Sequence, residues 1–507
     1  MPKTLPILLI LALFVSCTTY HKATSSDDGR IAVNFVQIND VYEIAPLDNG
    51  NAGGMARIAT LKQQYVKQNP NTFLVIAGDF LSPSVYNSLA YNKEYIRGKQ
   101  MVEAMNAAGM DIAIFGNHEL DLKENELQQR INESNFQWIA SNVFHQQNGN
   151  FVPFAKTTGT TYALPKTYIK TVTDADGTTA KIGFIALTLP FTKTPYVHYE
   201  DPLATAKQLY NQLKDSVDAV IAITHQAIED DEQLARALPN LAMIIGGHEH
   251  DQRFDKVGNI YITKGLANAK SAFIITLAIN KKTGKVQVKP ILEKVDEHIP
   301  LDSTTNAVVK KWLDIASESF DSLGFDANKV VFATGEPLDG KETEVRNHST
   351  NLTKLITAAM QKAAPQADVV IMNSGSIRVD DILQMPVTQY DIIRTLPFGG
   401  GIKEVDMKGS LLLQILKAGI QNRNTGGFLQ HNDNLTLDTT SQQWTLNNAV
   451  VDTVKIYRVA LSEFLLTGGE ANLSFLTPAN KDILKVYDNN SPALGDIRKA
   501  VIDFAAK

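Results

Sequence analysis

From residue 31 onwards, the chain alternates short apolar runs with stretches in which apolar residues recur at helical spacing. This alternation is typical of an α/β fold. Five of the apolar runs end in carboxylate, amide or imidazole side chains, at residues 39–40, 79, 117–121, 225 and 248–250. A single such residue is commonly a turn former or a helix cap, but five corresponding sets are not explained in that way. Because ligands in α/β sheets gather beyond the carboxyl ends of the strands, the pattern predicts a polar site there.

The side chains at these strand ends are of the types that hold divalent metal ions. The stretch IIGGHEH presents His248 and His250 directly after two glycines, which allow backbone and ligands to approach closely. Imidazole nitrogen suits borderline cations, and a carboxylate can bridge two cations that lie about 3.5 to 4 Å apart. His-x-His alone is also compatible with ordinary surface histidines, but the whole set predicts a metal centre.

The chain is too long for one compact core. At 507 residues, the usual domain sizes predict two large domains or a few smaller ones. Helical spacing of apolar residues favours a linker helix at 302–327, between a first domain at 31–301 and a second α/β domain at 328–507. A hydrophobic content of 44% argues against disorder, and a net charge of -6 argues against binding to nucleic acid polymers.

The N-terminal 17 residues predict a targeting segment. Lys3 precedes an apolar stretch at 5–15 that is too short to span a membrane permanently. The following FVSC, residues 14–17, resembles the end of a bacterial lipoprotein signal peptide, which implies export and a lipid on Cys17. We therefore expect a protein anchored to a bacterial membrane, facing the periplasm or the cell surface, with residues 18–30 as a tether; a plain signal peptide is the alternative. Cys17 is the only cysteine, which excludes an intramolecular disulfide.

The ordered motifs resemble those of the calcineurin-like metallophosphoesterases. They are Asp40 near the first strand, GD at 78–79, GNHELD at 116–121, TH at 224–225 and GGHEH at 246–250. Within that superfamily, the Gly-Gly-x-Ala-Arg stretch at 53–57 and the second domain resemble the bacterial 5'-nucleotidase family, which includes periplasmic nucleotidase/UDP-sugar hydrolases. The resemblance implies an α/β (α+β) architecture. A four-layer sandwich of two sheets flanked by helices would be joined by the linker helix to an α/β substrate-binding domain.

The resemblance also implies two metal ions that share Asp79. One ion would take Asp40, Asp79 and His250, and the other would take Asp79, Asn117, His225 and His248. The ions would be divalent or of mixed valence, drawn from Zn, Mn, Mg, Co and Fe. The family usually has Asp-x-His at the first strand, whereas this chain has Asp40-Val41-Tyr42. Tyr42 would either ligate as a phenolate, leave its position to Glu43 or water, or pack without metal contact.

His118 and Asp121 match the catalytic dyad of the family, in which the carboxylate holds the imidazole. Two cations would neutralise phosphate charge and activate a water, while a protonated His118 would stabilise the transferring phosphoryl group or protonate the leaving alkoxide. The implied reaction is release of phosphate from nucleoside 5'-monophosphates by a metal-activated water. A phosphatase or phosphodiesterase for sugar phosphates, UDP-sugars or cyclic nucleotides is the alternative enzyme, and a nucleotide-binding lipoprotein without turnover is the alternative from another class.

The second domain resembles the substrate-binding domain of the family. The residues that match its motifs are Arg346, Asn373, Arg378, Phe398, Gly427, Phe464 and Glu470. Arginine grips phosphate oxygens at two points. The resemblance implies that the two phenylalanines sandwich a nucleobase, whose face suits aromatic stacking, and that the acidic group binds the sugar hydroxyls. Gly400 and Glu470 replace Asn and Asp of the family, and Ser374 and Ser376 interrupt its triple glycine, so the substrate is less determined than the reaction. Because these residues and the metal ligands belong to different domains, a bound nucleotide would bridge the two, and we expect a hinge motion.

Overall fold

The computed structural model describes residues 27–191, 194–488 and 491–506. The predicted signal peptide with Cys17, and most of the predicted tether, lie outside these residues. The tether is predicted to extend to residue 30, but Arg30 already begins the strand Arg30–Ile38. Among the described residues, no helix combines the length and the apolar character that crossing a membrane requires.

The first domain is built on two six-stranded sheets. Sheet A contains, in spatial order, Lys285–Lys294, Ser271–Asn280, Arg30–Ile38, Thr72–Ile76, Ile112–Ile114 and Gln137–Ile139. Sheet B contains Thr167–Thr173, Thr179–Thr188, Ala219–His225, Met243–Gly247, Ile260–Lys264 and Arg253–Val257. The strands that precede the polar sets are parallel to their neighbours, so their carboxyl ends meet at one edge of each sheet.

Helices cover the outer face of each sheet. Met55–Gln68, Lys99–Ala108 and Glu124–Glu133 pack on sheet A, and Pro202–Leu213 and Ile228–Ala237 pack on sheet B. The inner faces share one buried cluster, to which Phe35 of sheet A and Phe184 of sheet B contribute with ring centroids 5.9 Å apart. The predicted four-layer sandwich is confirmed.

The linker helix spans Ser303–Ser322. The carboxylate of Asp302 caps it by accepting the Thr305 N–H at 2.8 Å. Its buried face includes Trp312 and packs on the first domain's helices, in a cluster that also takes in Ile393 of the second domain. The helix ends before the predicted boundary at 327 because Gly324 adopts a left-handed φ of 79°.

The second domain has a five-stranded mixed sheet with helices on both faces. Its strands are, in spatial order, Leu429–His431, Val369–Asn373, Ile456–Ser462, Ile402–Lys408 and Ile483–Val486. Asn351–Ala363, Gln389–Thr395 and Ile497–Ala505 pack on one face, and Gly409–Gln421 packs on the other. This mixed α/β arrangement agrees with the sequence-based expectation.

Both domains also contain shorter helices and strands. The short helices are Val85–Ser88, His118–Asp121, Glu342–Val345, Ser374–Ser376, Glu463–Thr467 and Pro492–Gly495. The short strands are Ala90–Tyr91, Glu94–Tyr95, Val143–Gln147, Asn150–Val152, Ala155–Thr158, Thr160–Ala163, Val197–Tyr199, Val330–Phe332, Leu338–Asp339, Ile382–Leu383, Val387–Thr388, Leu435–Asp438, Gln443–Leu446 and Ala449–Val450.

Candidate active site

Three polar side chains from three parallel strands meet at the carboxyl edge of the two sheets. Asp40 and Asp79 follow strands of sheet A, His225 ends a strand of sheet B, and one ligand atom from each lies within 4.8 Å of the other two. Both aspartates are buried and have left-handed φ values, 51° for Asp40 and 54° for Asp79. A non-glycine residue held in this region is typical of a functional site, because the surrounding structure has to compensate for the strain.

Asp79 contacts groups that come from both sheets of the first domain. Its Oδ2 lies 3.1 Å from His225 Nε2 and accepts a hydrogen bond from the Tyr42 hydroxyl at 3.3 Å. Its Oδ1 accepts the backbone N–H of His118 at 2.8 Å. The side chain predicted to be shared by two ions therefore lies between His225 of sheet B and Tyr42, which follows the first strand of sheet A.

The donor set fits a metal ion. Among the described residues, the buried Oδ1 of Asp40 accepts no hydrogen bond, while Nε2 of His250 lies 3.4 Å away and Nε2 of His225 lies 3.9 Å away. A buried carboxylate oxygen without a hydrogen bond is costly unless a cation compensates it. The oxygen and the two imidazoles provide hard and borderline ligands for a divalent cation.

His225 and Asn117 contact each other inside this cluster. His225 donates from Nδ1 to the Ala77 carbonyl at 2.8 Å, which directs Nε2 to the Oδ1 of Asn117 at 3.1 Å. Burial opposes a charge on the ring, but the carboxylates of Asp79 and Asp40 outweigh it and raise the pKa of His225 to about 9. The carboxylates thus favour a positive charge at this place, which is what a metal ion supplies.

His248 and His250 have separate positions. The N–H of His248 donates to Asp40 Oδ2 at 3.0 Å, and its ring lies edge-on to that of His225 with centroids 5.4 Å apart. Burial and the neighbouring His225 lower the pKa of His248 to about 4. His250 instead faces Asp40 and Tyr42, whose hydroxyl lies 2.9 Å from His250 Nε2.

Tyr42 places its hydroxyl among the predicted ligands. Burial, then the charges of Asp79 and Asp40, hold the pKa of Tyr42 well above its ordinary value. The phenol is therefore neutral unless a cation displaces its proton. The carboxylate of Glu43 accepts hydrogen bonds from the hydroxyls of Tyr390 and Ser84, and its role as a replacement ligand stays a prediction.

Two motif glycines allow the ligand loops to pack this closely. A Cβ on Gly116 would lie 2.1 Å from Asp79 Oδ1. A Cβ on Gly247 would lie 2.3 Å from the Ala77 carbonyl oxygen and 3.0 Å from His225 Nδ1. Neither space accommodates any other residue without moving a predicted ligand.

His118 and Asp121 form the predicted pair. They are the first and last residues of the short helix His118–Asp121, and Nδ1 of His118 lies 2.5 Å from Oδ2 of Asp121. Burial works against charge, yet the carboxylates of Asp79 and Asp121 raise the pKa of His118. Because Nδ1 is engaged, Nε2 is the atom through which this imidazole would meet a substrate.

The sequence did not indicate the role of Glu119, which lies within the same motif. Its buried carboxylate accepts four backbone N–H groups: those of Asp79 at 2.8 Å, Phe80 at 2.7 Å, Leu81 at 2.9 Å and Gly116 at 2.6 Å. It therefore ties the loop after one strand to the loop after the next. An acidic residue inside the turn GNHELD was the only available signal.

Replacing Glu119 with glutamine should destabilise the protein. One carboxylate oxygen becomes an NH₂ group facing two backbone N–H donors, and each buried donor without a partner costs about 1–3 kcal/mol. We expect the free energy of unfolding of the metal-free protein to fall by about 2–5 kcal/mol in urea denaturation. Glu229→Gln, at an exposed helical position, is the control and should change it by less than about 0.5 kcal/mol. A Glu119→Gln protein as stable as the control would contradict the assigned role.

The two predicted arginines of the second domain lie around one carboxylate. Arg346 pairs with Glu342, and Arg378 lies 3.7 Å from the same carboxylate. Arg378 also lines a small cavity between the domains, together with Tyr42 of the first domain. Glu342 was not predicted, since it lies outside the matched motif residues.

The remaining predicted residues are only partly brought together. Nδ2 of Asn373 donates to Oε2 of Glu470 at 2.9 Å, and a Cβ on Gly427 would lie 2.9 Å from the other oxygen of Glu470. Phe464 and Phe398 have side chains that are 47% and 68% exposed. Within the part of the chain that the structure describes, no ring contact joins these two phenylalanines, and their sandwich around a base stays a prediction.

A buried carboxylate, amide and imidazole cluster at parallel strand ends, beside a histidine oriented by a carboxylate, defines a metal-dependent phosphoesterase. Residues 33–252 match the family model for calcineurin-like phosphoesterases, and residues 329–477 match the model for the 5'-nucleotidase C-terminal domain. The chain belongs to the calcineurin-like phosphoesterases that carry a 5'-nucleotidase C-terminal domain, and is a hydrolase of phosphoric esters that uses divalent metal ions.

Similar proteins agree with this assignment. The 5'-nucleotidase of Mus musculus is 24% identical over 485 residues, which cover 82% of this chain and 78% of the relative. The trifunctional nucleotide phosphoesterase protein YfkN of Bacillus subtilis (strain 168) is 26% identical over 91% of this chain, which spans 33% of that protein. The crystal structure of a 5'-nucleotidase precursor from Thermus thermophilus shares the fold, with a TM-score of 0.68, 21% identity and coverage of 94% of this chain and 96% of that one.

Proposed function

We propose that the protein is a 5'-nucleotidase that releases phosphate from nucleoside 5'-monophosphates at a site for two metal ions. The observation that carries the proposal is the position of Arg378 in the second domain. It lines the same interdomain cavity as Tyr42, whose hydroxyl touches Asp79 and His250. A phosphate held by this arginine would lie beside the metal cluster.

Six side chains would hold the metals: Asp40, Asp79, Asn117, His225, His248 and His250. Two bound cations would supply neutralisation of the phosphate oxygens and a water of lowered pKa. His118, oriented by Asp121, would donate its Nε2 proton to the leaving 5'-oxygen or stabilise the transferring phosphoryl group. The pair of His118 and Asp121 argues against a binding protein without turnover, because binding alone does not require an oriented proton donor.

Residues of the second domain, 328–507, would select the substrate. Arg378 and Arg346 both lie beside the carboxylate of Glu342, so their guanidinium groups lie in one region. Planar guanidinium groups suit the oxygens of a phosphate. Glu470, steadied by Asn373, suits the ribose hydroxyls, and the exposed face of Phe464 suits a base. We also propose that the two domains span residues 31–301 and 328–507, with the linker between them.

Replacing Phe464 with alanine should raise KM for AMP by roughly 5- to 150-fold, because base stacking contributes about 1–3 kcal/mol. Ribose 5-phosphate lacks a base, so its kcat/KM should stay within about twofold of the wild-type value. Phe151→Ala, which removes an exposed ring of the first domain, is the matched control for initial-rate assays of both compounds. Equal losses on AMP and ribose 5-phosphate would contradict a base-binding role for Phe464.

We propose, further, that the protein is exported and anchored to a bacterial membrane through a lipid on Cys17. The support is the sequence alone, because FVSC at 14–17 resembles the end of a lipoprotein signal peptide. These residues lie outside the described part of the chain. Mass spectrometry of the mature N-terminus should find a lipidated Cys17, and Cys17→Ser should release the protein from the membrane fraction. An unmodified N-terminus at another residue would contradict the anchor.

A substrate panel tests the proposed activity. AMP, 3'-AMP, cyclic AMP, UDP-glucose and glucose 6-phosphate are each assayed for hydrolysis with Mn, Zn, Mg, Co and Fe. We expect the highest kcat/KM for AMP. Preference for UDP-glucose or cyclic AMP would instead favour the broader phosphoesterase, a second candidate supported by the name of the Bacillus relative and by the Gly400 and Glu470 substitutions.

A further inference from the structure

The second domain reaches a predicted metal ligand of the first domain directly. The carboxylate of Asp380 forms an ion pair with Nδ1 of His250, and both side chains are largely buried. Asp380 lies two residues after Arg378, in the loop that follows the NSGSIR motif. A loop that carries a predicted phosphate ligand therefore also contacts the metal cluster.

The imidazole of His250 lies between the two domains. Its Nε2 faces the first domain, 3.4 Å from Asp40 Oδ1 and 2.9 Å from the Tyr42 hydroxyl. Its Nδ1 meets the carboxylate of Asp380 in an ion-pair contact that lacks the alignment of a hydrogen bond. A ligating histidine commonly gives its second nitrogen to a carboxylate, which selects the tautomer, fixes the ring and raises its basicity. Asp380 is placed to do this from another domain.

Asp380 is itself held firmly within the second domain. Its Oδ1 accepts the backbone N–H of Glu342 at 2.5 Å, and Glu342 pairs with the side chain of Arg346. The backbone φ of Asp380 is 36°, a conformation that non-glycine residues rarely adopt. The carboxylate is therefore fixed in place by residues of the substrate-binding domain, independently of His250.

We propose that Asp380 is a positioning residue that orients the metal ligand His250 across the domain boundary and couples metal affinity to docking of the second domain. The inference rests on the proposed two-metal site. Since binding free energies are reciprocal, a docked second domain strengthens metal binding at the Asp40 and His250 end, and the metal favours the docked arrangement to the same extent. A bound nucleotide, which would order the same loop through Arg378, would add to this coupling.

The neighbouring residue provides a matched control. Asp381 also crosses the domain boundary, where its Oδ2 lies 2.5 Å from Nζ of Lys270, which in turn lies 3.0 Å from Asp48. Neither Lys270 nor Asp48 is a predicted metal ligand. Asp380→Asn and Asp381→Asn thus each remove one interdomain ion pair, but only the first alters the surroundings of a ligand.

The test is a calorimetric titration of the metal-free full-length protein with Mn²⁺. We expect two sites in the wild-type protein. In Asp380→Asn, one site should weaken by about 10- to 100-fold and the other should stay within about twofold. Asp381→Asn, which removes one interdomain ion pair of about 0–1 kcal/mol, should weaken metal binding by no more than about fivefold. Unchanged affinity in Asp380→Asn, or an equal loss in Asp381→Asn, would overturn the inference and leave the proposed function standing. A wild-type protein that binds no metal would overturn both.

A second measurement needs no variant of Asp380. One fluorophore on each domain of the wild-type protein reports the docked fraction by energy transfer, without Mn²⁺ and with saturating Mn²⁺. Coupling predicts a larger docked fraction with Mn²⁺. An unchanged fraction would overturn the coupling even if Asp380→Asn failed to fold.

Discussion

Replacing His118 with alanine is expected to lower kcat for AMP by about 10²- to 10⁴-fold, the usual contribution of a general acid. Nδ1 of His118 is 2.5 Å from Asp121, and only its backbone N–H contacts the central carboxylate of Asp79. Alanine keeps that N–H, so the metal content should not change. Steady-state phosphate release and metal analysis of the same samples provide the measurement.

The control for this variant is His298→Ala, because His298 is an exposed histidine of the same domain. It should retain full activity. A His118→Ala protein with wild-type kcat and wild-type metal content would show that this imidazole takes no part in the chemistry. Loss of metal together with activity would instead assign His118 a role in holding the site.

Replacing Asp79 with asparagine should abolish turnover, with a loss of at least about 10³-fold, because the metals contribute several kcal/mol to catalysis. This carboxylate contacts His225, Tyr42 and the backbone of His118. The amide of asparagine cannot bridge two cations through two anionic oxygens. After dialysis, elemental analysis should find less metal per chain than in the wild type.

Asp314→Asn is the control for Asp79→Asn, since Asp314 lies on the exposed face of the linker helix and pairs with Lys310. It should keep both metal content and activity. An Asp79→Asn protein that retained full metal content and measurable AMP hydrolysis would contradict the central position given to this carboxylate.

The architecture of the first domain could be predicted from the sequence because its signals are local. Buried parallel strands read as apolar runs, and the chain direction alone places their last residues at one edge. Asp40, Asp79 and His225 are far apart in sequence, yet each directly follows or ends such a run. The rule for strand ends predicted a polar site at the sheet edge, and the family resemblance supplied the pairing of Asp40 and Asp79 with His225 of the other sheet.

Contacts that depend on domain docking could not be predicted. The hydrogen bond from Tyr390 to Glu43 joins residues 347 positions apart, and the His250–Asp380 pair also links the two domains. No periodicity or motif spacing encodes such pairs. The contacts of Glu119 could not be predicted either, because its four partners are backbone N–H groups, which do not depend on residue type.

The structure shows which groups surround the residues that depart from the family pattern. Tyr42, in place of a histidine, contacts two predicted ligands through its hydroxyl, and its role as a ligand stays a prediction. Glu470, in place of an aspartate, has one carboxylate oxygen hydrogen-bonded to Asn373. The longer side chain thus still reaches the loop that the resemblance assigns to the substrate.

Metal reconstitution tests the central claim, a site for two metals that hydrolyses nucleoside 5'-monophosphates, most directly. The protein is stripped with a chelator, and phosphate release from AMP is then measured against added equivalents of Mn²⁺. The proposal predicts no activity in the stripped protein and a maximum at about two equivalents per chain. Full activity in the stripped protein, or a fully reloaded protein that releases no phosphate from AMP, would contradict it.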